Sequence, residues 1–158
     1  MTTNERLEAA MGVRCWDDRY AYVVLSGSRA DPQVIIAKHV TLPVSVKRPE
    51  LLATFRQDIY DLLTNYRVAN VCYKCHEPIA KTKSVKRGEL EGVLQETCFS
   101  HAPSVAITGR TFNQLKSVLH FDSKANLVAQ MAHEAPFLKL AKTNFDEAVV
   151  AALSLLPE

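Results

Sequence analysis

The sequence is poor in the features that would set it apart from an ordinary globular protein. Its four cysteines, Cys15, Cys72, Cys75 and Cys98, are few for a disulfide scaffold in a chain of 158 residues. A core of that size needs no covalent staples, so they are read as reduced thiols. No apolar run approaches the roughly 18 residues that a membrane-spanning helix requires. The polar start Met1-Thr2-Thr3-Asn4-Glu5-Arg6 leads into no signal-peptide core, and the expected location is the cytoplasm, with no membrane partner. No glycine-rich phosphate cradle of the P-loop type occurs, which removes ordinary nucleoside-triphosphate hydrolysis. His39, His76, His101, His120 and His133 are scattered, without the close His/Glu spacing of a zinc peptidase. The net charge of +2 is too small to argue for a nucleic-acid partner, so any basic surface must be local.

What is present is a balanced composition, 47% apolar and 23% charged, in a length suited to one well-buried core. A single domain over residues 1–158 is expected. Gly12 to Trp16 reads as a short strand, Asp17-Asp18-Arg19 as a polar turn, Tyr20 to Leu25 as a second strand and Gln33 to Val40 as a third. Their tight spacing predicts an antiparallel meander. Pro49 opens a helix whose Leu51, Leu52, Phe55, Ile59, Leu62, Leu63 and Tyr66 recur at steps of three and four. Val68 to Tyr73 is a fourth strand suited to burial on both faces, and a helix from about Gly88 to Phe99 follows a basic loop from Pro78 to Arg87. Ser104 to Thr108 is a fifth strand closed by Gly109. Thr111 starts a helix carrying Phe112, Leu115, Val118 and Leu119, residues 123–133 form another short helix, and Asn144 to Leu156 is the last. Three strands followed by helix-linked strands predict an α/β fold, a mixed sheet with right-handed crossovers and helices on both faces.

Cys72-Tyr73-Lys74-Cys75-His76 formally matches a haem-attachment signature, but it lies at the end of a buried strand. Strand alternation puts Cys72 and Cys75 on opposite faces, and no second cysteine pair completes a zinc site, so no metal ligands are assigned. Glu77-Pro78 argues against a redox pair opening a helix. Lys81, Lys83, Lys86 and Arg87, with Lys74 nearby, are the strongest local electrostatic feature. They are candidate contacts to a phosphate backbone, set against the reading of a solvated loop.

Met11-Gly12-Val13, Val68-Ala69-Asn70-Val71-Cys72-Tyr73-Lys74, Arg87 to Leu94 and Phe145 to Leu153, in this element order, resemble the RuvC-like branch of the ribonuclease H superfamily across roughly residues 10–156. The resemblance implies a five-stranded mixed sheet flanked by helices, with carboxylates converging at the carboxyl ends of the central strands to hold two divalent ions for phosphodiester cleavage. In this sequence the first acid position falls on Arg14, and the fourth-strand position falls near Cys72 to Lys74. Only the last, at Asp146 or Glu147, is acidic. One acid of three cannot hold two metals. The leading expectation is therefore a noncatalytic domain acting by binding nucleic acid or a protein partner, with no cofactor. The enzymatic alternative is a Mg- or Mn-dependent nuclease with relocated acids among Asp17, Asp18, Glu77, Glu91 and Asp146, of which Asp146 and Glu91 are the catalytic candidates. A third reading is a structural protein that self-associates into a homo-oligomer through a sheet edge or the helix at 111–119. For Glu147 a helix-capping role with Asn144 competes with catalysis.

Overall fold

The computed structural model describes residues 8–77, 83–120 and 145–158, with the side chains of Phe145 and Asp146 outside that description. Among the described residues five strands and four helices follow in the order β1 (Ala9–Cys15), β2 (Arg19–Gly27), β3 (Pro32–Thr41), α1 (Arg48–Asn65), β4 (Val68–Lys74), α2 (Val85–Ser100), β5 (Ala106–Arg110), α3 (Phe112–Leu119) and α4 (Phe145–Leu153). The sheet order is β3-β2-β1-β4-β5. β1 pairs antiparallel with β2, and β2 with β3, which is the expected meander. β4 runs parallel to β1, and β5 parallel to β4, each reached through a helix.

Side-chain alternation along β1 divides the core in two. Ala9, Met11, Val13 and Cys15 face α1 and α2, where they meet Leu51, Phe55, Ile59, Leu63, Leu90, Leu94 and Cys98. The α1 stripe is buried at every fourth residue, Leu51, Phe55, Ile59 and Leu63. Each such side chain contributes about 1.5–3 kcal/mol. Ala10 points the other way, with Ala21, Val23, Leu25 and Cys72, toward Leu115 of α3 and the run Ala148 to Leu153 of α4. That run is buried on every side, as expected of a helix apolar all round. α4 seats directly on β1 at Gly12, where a Cβ would run into the carbonyl oxygen of Ala148. Small residues at Ala148 and Ala152 allow this close approach.

The boundaries differ from the sequence reading in instructive places. α2 starts at Val85, three residues before Gly88, because Ser84 supplies an N-cap whose side chain accepts from the Arg87 amide. β5 runs through Gly109 to Arg110 instead of ending before it, since both residues pair with β4. Thr111 and Gln114 form a capping box at the start of α3. The helix expected at 123–133 lies outside the described residues. Among the described residues no helix is long and apolar enough to cross a membrane.

Candidate functional site

The carboxyl ends of β1, β4 and β5 lie side by side. In open α/β sheets ligands bind beyond such ends. The register sets Val13 opposite Tyr73 and Lys74 opposite Arg110. Arg14, Lys74 and Arg110 therefore form a row of cations, one at the end of each parallel strand.

Each is held from within the fold. Arg14 reaches α4, where its Nε donates to a carboxylate oxygen of Glu147, and its Nη1 donates to the Cys15 carbonyl. Lys74, 4% exposed, donates to the Cys75 carbonyl at 2.9 Å and meets Glu77 at 2.6 Å. Glu77 also accepts from the Phe112 amide at the start of α3, at 2.9 Å. Arg110 donates to the carbonyl and hydroxyl of Ser154, at 3.2 and 2.5 Å. A fourth cation comes from α2: buried Arg87 donates to Glu91 at 2.8 Å and to the Lys74 carbonyl at 2.6 Å. Glu91 in turn lies 3.8 Å from His76.

Burial and the crowding of positive charge set the electrostatics of this cluster. Burial draws the Arg14 guanidinium below its ordinary value; Glu147 counters this, while nearby Arg87 adds to it. Burial lowers His76 as well, with Arg87, Arg14 and Lys83 acting in the same direction and Glu91 opposing them. For Glu77, burial works to raise the carboxyl, but the hydrogen bonds from Lys74 and the Phe112 amide prevail and hold it low. Cys15 is pushed up to about 12, by burial first and Glu91 second, so it stays a thiol and is no nucleophile. Outside this network, Lys83 and Lys86 are exposed where α2 begins.

No family model matches the chain, and no curated protein sequence matches it. Solved structures do. Thermus thermophilus RuvC, in complex with a Holliday junction substrate, superposes with a TM-score of 0.74 at 16% identity, over 93% of this chain and 91% of RuvC. The fold is RuvC-like. The yeast mitochondrial Holliday junction resolvase Ydc2 follows at a TM-score of 0.64 and 10% identity, over 94% of this chain and 77% of its own. The fowlpox virus resolvase, with Holliday junction DNA, gives 0.54 and 9%, covering 93% of both chains. At such identities the likeness is one of fold.

Within this RuvC-like frame Arg14 and Lys74 stand at the strand ends where the resemblance implied carboxylates. A divalent ion wants several oxygen ligands not already committed elsewhere. Here Glu147 faces Arg14, Glu77 faces Lys74 and Glu91 faces Arg87. Among the described residues no three His, Cys, Asp or Glu side chains are grouped so as to share an ion. The described residues alone do not form a two-metal centre.

The residues singled out from sequence separate into three sets. Lys74, Arg87 and Glu91 meet in the buried network, while Lys83 and Lys86 sit exposed at its rim. Lys81 and the Asp146 side chain lie outside the described residues. Asp17 stays in the β1–β2 turn, where it accepts from Ser84 while its carbonyl accepts from Arg48 at 2.8 Å, tying that turn to the neighbouring helices. Asp18 holds the start of the loop after β3, its carbonyl accepting from Leu42. Sequence reasoning missed Arg110 and the Glu147 partnership with Arg14. A basic residue ending each parallel strand was the available signal for Arg110. The pair with Glu147 spans 133 positions and left none.

Proposed function

We propose that this chain is a noncatalytic RuvC-like domain that binds nucleic acid at the carboxyl end of its sheet, with internal cations standing where metal ions would otherwise sit. The observation that carries this reading is Arg14 at the end of β1, paired to Glu147 of α4. A guanidinium there occupies the space and the carboxylate that a divalent ion would need. The alternative nuclease reading requires carboxylates free to converge, and Glu77, Glu91 and Glu147 each face a cation while Asp17 is bonded to Ser84.

Charge supports a nucleic-acid ligand. In the buried network of described residues Arg14, Lys74, Arg87 and Arg110 outnumber Glu77, Glu91 and Glu147, and exposed Lys83 and Lys86 lie at its rim. Such an end attracts phosphate. Phosphodiester contacts through exposed lysines give salt-dependent, sequence-tolerant binding. The solved structures that share the fold with bound Holliday junctions make a branched DNA the first ligand to try.

The test is a paired assay on four-way junction, single-stranded and hybrid substrates, with magnesium or manganese. Binding without cleavage is expected. Robust cleavage that Glu147→Gln or Asp146→Ala abolishes would overturn the noncatalytic reading. Absence of binding to every substrate at low salt would overturn the nucleic-acid reading.

A further inference from the structure

Trp16 follows β1 directly, two residues beyond Arg14, and is the sole tryptophan of the chain. It is half-buried: part of it packs against the apolar cluster of α4 and the sheet, and the remainder is open to solvent. Two guanidinium groups attend its ring, those of Arg14 and Arg19, each with its central carbon 4.6 Å from the ring centroid. The His39 ring lies 5.8 Å away, tilted by 33°. The two arginines are held very differently. Arg14 is pinned by Glu147 and the Cys15 carbonyl, whereas Arg19 is exposed and no carboxylate pairs with it among the described residues.

We propose that Trp16 is a stacking platform for an unpaired nucleobase, with Arg14 as its fixed cationic support and Arg19 as a movable guanidinium that leaves the ring for a backbone phosphate. The inference rests on the nucleic-acid reading above and narrows it to single-stranded or locally unpaired nucleic acid. A partly exposed indole set among arginines offers what such a strand needs: a π face for the base and cations for the phosphates beside it. Stacking on aromatic side chains tolerates any base, because every base has a π face. The position also suits the charge distribution, since Arg14 belongs both to the platform and to the row of cations at the strand ends.

A purely structural Trp16 would close the edge of the core and hold Arg19 by a cation–π contact. That role also predicts that ligand binding leaves the indole unchanged. The two are separable because all tryptophan fluorescence of the protein reports from this one residue.

The experiment titrates the full chain with a single-stranded dT oligonucleotide, an abasic oligonucleotide of the same length and a blunt duplex. Affinity is followed by anisotropy of a labelled strand, and stacking by quenching of Trp16 emission. The dT strand should quench strongly, and the abasic strand should bind at least about tenfold more weakly with little quenching. Trp16→Phe should keep most of the affinity. Trp16→Ala should lose about tenfold or more for dT and little for the abasic strand, with an unchanged circular dichroism spectrum. Arg19→Gln, at an exposed position, should weaken dT binding in a protein whose fold is not at risk. Tight dT binding that neither quenches Trp16 nor responds to Trp16→Ala and Arg19→Gln would overturn the platform and leave the nucleic-acid reading intact. No binding of any strand would overturn both, and preference for the blunt duplex over dT would overturn the narrowing to unpaired strands.

Discussion

Glu147→Gln removes the negative charge that Arg14 faces. The substitution keeps the shape and a hydrogen-bond acceptor, so what is lost is the negative charge opposite a guanidinium that also feels Arg87. Leaving one partner of a fully buried ion pair uncompensated costs about 3–5 kcal/mol. These side chains retain 15% and 23% of their exposure, so solvent softens the penalty, and a loss of about 2 kcal/mol is expected. At 2–4 °C per kcal/mol for a domain of this size, the melting temperature should fall by about 4–8 °C. In urea, with a slope of about 2 kcal/mol/M, the midpoint should drop by about 1 M. Replacing both partners, Arg14→Met with Glu147→Met, should recover most of the loss, because a matched apolar pair carries no stranded charge. The cycle of two single variants and the double gives the coupling directly. A cost below about 0.5 kcal/mol for Glu147→Gln, as for an exposed pair, or strict additivity in the cycle, would refute the reasoning.

Stability should also depend on pH through His76. Its folded-state value lies below the ordinary 6.5, so its contribution is fully present above pH 6.5 and is lost as pH falls through the lowered value. Thermal melts should therefore decline below pH 6.5, and His76→Gln should flatten that limb. Glu77, held below its ordinary 4.5, adds a second decline at lower pH that Glu77→Gln should remove. Lys83→Ala with Lys86→Ala should weaken single-strand binding and reduce the slope of log affinity against log salt by about 1.4, at about 0.7 per lost phosphate contact. The Trp16 quench at saturation should be unaffected, since neither lysine touches that ring.

How much of this was legible in the sequence follows from the range of the interactions. The sheet and helices were readable because their signals are local. Val34-Ile35-Ile36 marks a strand, and the four-residue spacing of Leu51, Phe55, Ile59 and Leu63 marks a helix face. Arg14 at an expected acid position was also readable, since it directly follows Met11-Gly12-Val13. The network around it was not. Arg87 read as the end of a basic loop with Lys74 merely nearby, yet the chain turns back after β4. Lys74 thereby meets Glu77, and its carbonyl receives Arg87. Burial of a charged residue is decided by partners that only folding brings together. Glu147 had a local explanation as a capping residue with Asn144, and nothing near it in sequence indicated Arg14. Trp16 carried a faint signal in the run Arg14-Cys15-Trp16-Asp17-Asp18-Arg19, whose two arginines meet the indole only after the β1–β2 turn closes through the Trp16 amide and the Arg19 carbonyl.

Cations of the chain itself are proposed to stand where divalent ions would sit in a metal-dependent RuvC-like site. Manganese titration followed by electron paramagnetic resonance of the free ion measures this directly, on the unmodified protein and on Glu147→Gln. No saturable site below millimolar manganese is expected in either protein. A stoichiometric site of micromolar affinity, weakened by Glu147→Gln, would contradict it.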